Sequence, residues 1–224
     1  MSKHPYRQDR EELRKLLQQF ENLKNGKSNS FIEEDSLERI IDYFDEKEQL
    51  PQALESAGYG IEQYPYSAVL LLKKADLLIA LRNYKEALFI LEQAELLDSK
   101  DTNLYILKTD AYLALDQQQK AAAVLEAAID DFEGEEKIDL LFELADVYDD
   151  YENFEKVFDC LKIILEQDPN NEEALYKICF WTDFTGRNEE GIRLHQQIID
   201  NFPFNELAWF NLGAAYQGLK LYEK

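Results

Sequence analysis

Apolar residues recur along the chain with helical spacing, as in Leu70, Leu71, Leu77 and Leu78 and then in Ala87, Leu88, Leu91 and Ala94. Steps of three and four place such residues on one face of a helix. A short polar break, Arg82-Asn83-Tyr84-Lys85, separates the two runs. The pattern therefore predicts a helix, a tight turn and a second helix. The unit recurs with a period near 34. Ala53, Ala87 and Ala121 lie 34 residues apart, as do Gly60, Ala94 and Ala128. Pro65, Pro169 and Pro203 keep this register to within two residues, and Tyr112, Tyr148 and Tyr216 follow it at 36 and then 68. Small residues at fixed places let two helices approach closely. Proline after the second helix ends it, because its ring lacks an N–H and biases the preceding residue away from α. One hairpin cannot bury its apolar face alone, so neighbours must stack to complete a core.

The run Trp209-Phe210-Asn211-Leu212-Gly213-Ala214-Ala215-Tyr216 resembles the tetratricopeptide-repeat signature, which reads W-x2-L-G-x2-Y, then A-x3-F, then P. The resemblance covers residues 34–224, as units of about 34–67, 68–101, 102–135, 138–171, 172–205 and an incomplete 206–224. It implies an all-α fold, a right-handed superhelical solenoid of antiparallel helix pairs. Several units depart from the signature. Ser99 and Glu133 stand for the terminal proline, Val157 and Gly191 for the alanine of the second helix, and Thr109 and Cys179 for the glycine. Two extra residues near Glu136-Lys137 should lengthen one loop.

Residues 1–33 fall outside the period. Asp9 with Glu12 reads as a capping box, and Leu13, Leu16, Leu17, Phe20 and Leu23 form one apolar face of a helix over 10–24. This helix is either a solvating cap on the first repeat or a docking and dimerisation helix, and Gly26-Lys27-Ser28-Asn29-Ser30 is then a linker. At the other end, Leu221-Tyr222-Glu223-Lys224 occupies the turn after the first helix of the sixth unit. The second helix of that hairpin is missing, so the chain reads as a truncated piece of a longer array.

With 24 Lys and Arg against 46 Asp and Glu, the 224-residue chain carries a formal charge of −22. That balance excludes a nucleic-acid binder, which needs clustered cations. The charge is unevenly spread, with seven basic and five acidic residues in 1–33 and 17 against 41 in the rest. A hydrophobic fraction of 46% is enough for a sizeable core, so the acidity belongs to a folded surface. No apolar run approaches the about eighteen residues of a membrane span, and the N-terminus lacks the apolar stretch of a secretory signal. The expected location is the cytoplasm. Cys160 and Cys179 match neither a CxxC pair nor a zinc site and read as free, buried thiols.

Catalytic chemistry is absent from the pattern. Of two histidines, His4 lies in the terminus and His195 takes a position held by Ala57, Leu91, Leu125 and Leu161 in other units, so it reads as a packed residue. No phosphate loop, nucleophile triad or metal spacing occurs, and no cofactor or metal is expected. The family resemblance implies that the first helix of each hairpin lines a concave, peptide-binding groove. Aligning the units places Asp42, Asp76, Asp110 and Asp146 at one equivalent site. A turn earlier stand Glu38, Leu72, Ile106, Phe142, Tyr176 and Phe210, and Phe180 joins the aromatic wall. The aspartates are either a binding ladder or a solvated face. Some relatives clamp a C-terminal carboxylate with Lys, Arg and Asn, whereas here Lys73 and Lys177 are isolated, which argues against that function. The reading is a non-enzymatic scaffold for a protein or peptide segment with basic and apolar residues. The alternative is self-assembly through exposed array ends, giving a homodimer.

Overall fold

A computed structural model describes residues 5–27 and 31–220. These residues form α-helices without any strand: α1 (Pro5–Lys24), α2 (Glu34–Glu46), α3 (Leu50–Gln63), α4 (Ala68–Ala80), α5 (Tyr84–Leu97), α6 (Thr102–Ala114), α7 (Gln118–Ala128), α8 (Gly134–Asp150), α9 (Phe154–Gln167), α10 (Glu172–Phe184), α11 (Asn188–Asn201) and α12 (Glu206–Gly218). A 3-10 turn, Ile129–Asp131, follows α7. The helices gather into two compact units that divide between Leu115 and Asp116.

Local chemistry starts and stops the helices at the same phase of each repeat. Ser67, Asp101, Asn171 and Asn205 each turn a side-chain oxygen to a backbone N–H of the following first turn, at α4, α6, α10 and α12. Such caps satisfy donors that the helix itself leaves open. Each first helix then closes through one left-handed residue: Glu48, Arg82, Asp116, Glu152, Gly186 and Lys220, all at positive φ. At Arg82 the pattern is a Schellman closure, with the Arg82 N–H donating to the Ile79 carbonyl at 2.8 Å and the Asn83 N–H to that of Leu78 at 2.7 Å. The same pair of bonds closes α2 and α8. The polar break is thus shorter than the four residues expected, since Tyr84 and Lys85 already belong to α5.

Only one of these six left-handed positions is glycine. A side chain there costs about 1–2 kcal/mol, offset in part by the roughly 0.5–1 kcal/mol of extra chain entropy that glycine loses on folding. Arg82→Gly and Glu152→Gly should therefore each stabilise by about 0.5–1 kcal/mol and raise the melting temperature by about 1–4 °C. A lower melting temperature would mean that these side chains contribute more than the strain they cause.

Small residues mark the crossings. Ala53, Ala87, Ala121, Ala94 and Ala128 are all buried. Where the second helix of the fifth repeat has Gly191 instead, α10 and α11 approach so closely that a Cβ would lie 2.6 Å from Thr182 Cγ2. Within the first unit α2–α3 and α4–α5 pair as hairpins, α3 packs on α4 and α5 on α6. In the second unit α8–α9 pair, α9 packs on α10, and α12 packs on both α10 and α11.

Two expectations are corrected. The N-terminal helix begins at Pro5 rather than near residue 10, so Asp9 lies inside it and not at its N-cap. Proline suits the first helical position, where its missing N–H has no partner to lose, and nothing between it and Glu12 interrupts the helix. Glu136 and Lys137 likewise lie in no loop, because α8 starts at Gly134 and absorbs them into a 17-residue helix. Glu135 and Glu136 in its first turn complement the positive end of the helix dipole.

The N-terminal helix packs against the first hairpin. Phe20 is fully buried in a cluster with Ile32, Leu37, Ile40, Ala53 and Ala57, and Leu16, Leu17 and Leu23 lie against it. Gly26, at φ 65°, closes α1. Residues 28–30 of the linker and the last four residues lie outside the described residues, and with them the reading of 221–224 as a turn.

Candidate functional site

In the first unit the helices α2, α4 and α6 carry the acidic positions. Asp42 is exposed and forms an ion pair with Lys73 of α4. Lys73 is therefore not isolated, and it neutralises one member of the aspartate series. Asp76 and Asp110 have no ion pair or side-chain hydrogen bond among the described residues. Both side chains are exposed, yet each carboxylate is held above the usual carboxylate range. Burial is the main cause in both. The charge of Asp45 adds to it at Asp76, against an opposing pull from Lys73, and the charge of Asp76 adds to it at Asp110. Glu38 is raised in the same way, by burial first. Leu72, expected on the groove wall, is only 5% exposed and belongs to the core. Leu70 and Leu71 beside it on α4 are buried as well, and burial at this position is set by the helices packed against α4. Ile106 is half-buried.

In the second unit the equivalent helices are α8, α10 and α12. Lys177 stands 3.5 Å from Asp146 and 2.9 Å from Glu173. Its ammonium also lies 5.1 Å from the centre of the half-buried Phe142 ring. Lys177 is thus no more isolated than Lys73. Both lysines sit 31 residues after the aspartate they pair with, close to one repeat period. Tyr176, Phe180 and Phe210 are 78%, 59% and 68% exposed. These rings face water with no protein side chain covering most of their area, which is a costly arrangement for large apolar groups.

An aromatic group that the sequence reading missed adjoins them. Trp181 stacks on Phe154 at 5.0 Å, and Phe184 meets both Phe154 and Trp181 edge-on. Phe184 is largely exposed, whereas Trp181 is half-buried. Beside this group, a cavity of about 550 Å³ opens between α10 and α12.

Elsewhere the polar groups are structural. Glu126, Tyr148 and Lys156 form a closed set, with Lys156 Nζ donating to Glu126 Oε1 at 2.8 Å and to the Tyr148 hydroxyl at 2.7 Å. Burial first, and then the bond that its hydroxyl donates to Glu126, push Tyr148 up to about 12. Arg187 lies 4.0 Å from the centre of the Phe158 ring and bridges Asp159 and Glu190 at 2.7 Å each. Cys160 is buried, and burial pushes its thiol up to about 12. Cys179 is only partly buried, contrary to expectation, because it lines the open cavity. His195 is fully buried with both ring nitrogens unpartnered, and burial alone lowers it to about 4. Among the described residues no three potential ligands group as a metal site, and no helix is long and apolar enough to cross a membrane.

No protein-family model and no curated protein matches the sequence. Solved structures do match in fold. A tetratricopeptide repeat protein from Parabacteroides merdae superposes with a TM-score of 0.56 at 17% identity, covering 84% of this chain and 73% of that one. MamA gives 0.54 at 17% identity over 85% of this chain and 96% of its own. YrrB, described as a tetratricopeptide-repeat protein with an unusual peptide-binding site, gives 0.50 at 22% identity over 76% and 87%. Helix hairpins on a period of 34, small residues at their crossings and these neighbours agree, and the chain has the all-α tetratricopeptide-repeat fold.

Proposed function

We propose that the protein is a non-enzymatic cytoplasmic scaffold that binds a segment of another protein along the faces of its first helices, with residues 1–33 capping an array over 34–224. Tetratricopeptide-repeat neighbours support a protein-interaction role in general. The observation that carries the finer reading is the set of exposed rings Tyr176, Phe180 and Phe210 in the second unit, with Asp183 lining the same cavity as Phe180. In the second unit, apolar side chains of a partner would cover the rings; in the first unit, basic side chains would meet Asp76 and Asp110, which pair with no lysine among the described residues. Asp42 and Asp146 contribute less, because Lys73 and Lys177 already occupy them.

The test compares capture of partners and of basic-apolar peptide arrays by wild type, by Asp76→Lys with Asp110→Lys, and by Tyr176→Ala with Phe210→Ala. The aromatic pair should cost on the order of 2 kcal/mol if either ring is a hot spot. The charge reversal should slow association and remove its salt dependence over the roughly 10 Å screening length. Retention of every partner by both variants would place binding elsewhere. Binding should also weaken on acidification, because Asp76 and Asp110 take up protons earlier than ordinary carboxylates. A second reading, self-association through α12, is favoured by the exposure of Trp209 and Phe204. Light scattering across concentrations separates the two, since only the second gives a dimer of ligand-free protein.

A further inference from the structure

We propose that the cavity between α10 and α12 is the anchor of this binding face and holds one arginine or lysine side chain of the partner segment. The inference rests on the reading that the first-helix faces take a protein segment, and it adds where and by what chemistry that segment is held.

One wall of the cavity carries Phe180 and Phe184, a turn apart on α10. Their rings lie nearly parallel, with centres 5.6 Å apart and planes 24° apart, and both are more than half exposed. Trp181 meets each of them edge-on, at 4.8 Å and 5.6 Å, and itself stacks on Phe154. The two exposed rings are therefore fixed by a third and fourth ring rather than free to rotate away. Asp183 lines the same cavity and makes no ion pair or side-chain hydrogen bond among the described residues. Its charge reaches the interior wall, where it adds to burial in raising the Cys179 thiol. The opposite wall of this space of about 550 Å³ offers Ala214, Gln217 and Gly218, and Lys220 stands at its end.

This lining selects a cation. The π face of an aromatic ring is negative and attracts a guanidinium or ammonium group, and the attraction grows when water is displaced. A carboxylate beside the rings adds a charge-assisted hydrogen bond. A neutral apolar side chain would cover the rings but give the exposed Asp183 no partner, and an anion would meet both the ring faces and the carboxylate. Arginine fits better than lysine, because its planar group stacks on a ring while its edge bonds a carboxylate. The charge of −22 on the chain as a whole favours the same sign of partner.

The experiment titrates the whole chain with four short amide-capped peptides of one Ala-Leu frame, differing at a central Arg, Lys, norleucine or Glu, followed by calorimetry. The Arg peptide should bind about tenfold more tightly than the norleucine peptide, Lys should fall between them, and Glu should not bind. Asp183→Asn, which leaves the rings intact, should reduce the Arg advantage to about twofold. Phe180→Leu with Phe184→Leu should weaken Arg and Lys more than norleucine. Equal binding of Arg and norleucine, an Arg preference unchanged in Asp183→Asn, or no binding of any peptide would overturn the proposal. Tightest binding of the Glu peptide would overturn it in favour of an anion site at Lys220. A ligand-free dimer that the paired leucine variant dissolves would overturn it in favour of a second copy as the occupant. Partner capture that depends on Tyr176 and Phe210 but shows no Arg preference would remove the anchor alone and leave the groove reading standing.

Discussion

Phe20→Ala is expected to cost about 3–5 kcal/mol, the range for emptying a fully buried aromatic site. Phe20 has no exposed surface, meets Tyr59 edge-on at 5.5 Å and sits in the cluster formed by α1, α2 and α3. The Lys24–Glu55 ion pair also ties α1 to α3, but it is exposed and contributes little by comparison. Denaturant titration gives the total loss, and amide exchange over residues 13–24 shows whether α1 is released. If α1 caps the array, both should change together, because a terminal helix in a stacked array is stabilised by its one neighbour. A loss under about 1 kcal/mol, with unprotected α1 amides already in wild type, would mean that the helix is a docking element and not part of the core.

His195→Leu is expected to stabilise the protein by about 1–3 kcal/mol at neutral pH and to remove an acid sensitivity. Both ring nitrogens of His195 are buried without a partner, and an unsatisfied buried polar group costs about 1–3 kcal/mol. Leu91, Leu125 and Leu161 fill the equivalent position elsewhere and are fully buried, so leucine suits the space. The sign of the pH effect follows from the depressed value. An unfolded chain protonates this histidine near 6.5, whereas the folded chain resists until about 4. Between those values the unfolded state holds more protons, so stability falls as pH drops through 6.5 and levels off near 4, by about 3 kcal/mol in all. Glu38, Asp76 and Asp110 act in the opposite direction, since carboxylates raised in the folded state gain stability from protonation. The difference between wild type and His195→Leu therefore isolates the histidine. Parallel stability curves for the two proteins from pH 7 to 4 would show that His195 finds a partner or solvent when the protein breathes.

The repeat was legible because its causes are local. A spacing of 34 in Ala53, Ala87 and Ala121 records helix crossings where only a small side chain fits, and all three are buried. Pro65, Pro169 and Pro203 each follow the end of a second helix, at α3, α9 and α11, because a ring without an N–H stops a helix whatever surrounds it. The acidic and aromatic composition of the first-helix faces could be read for the same reason, since helical phase alone groups those positions. What phase could not supply was depth and partnership. Leu72 and Tyr176 occupy equivalent places, yet one is buried and the other exposed, because burial depends on what the neighbouring helices bring. Asp42 and Asp146 look identical to Asp76 and Asp110 along the chain, and only the tertiary structure brings Lys73 and Lys177 to the first two and, among the described residues, no paired lysine to the others. Phe154 and Trp181, 27 residues apart, become a stacked pair through the packing of α9 on α10. The sequence by itself thus determined the repeat, its turns and the character of each face, which follow from steric and hydrogen-bonding rules within a few residues. Tertiary structure decided which charges are neutralised and which rings remain open to solvent, because those depend on distances between side chains that no spacing along one helix encodes.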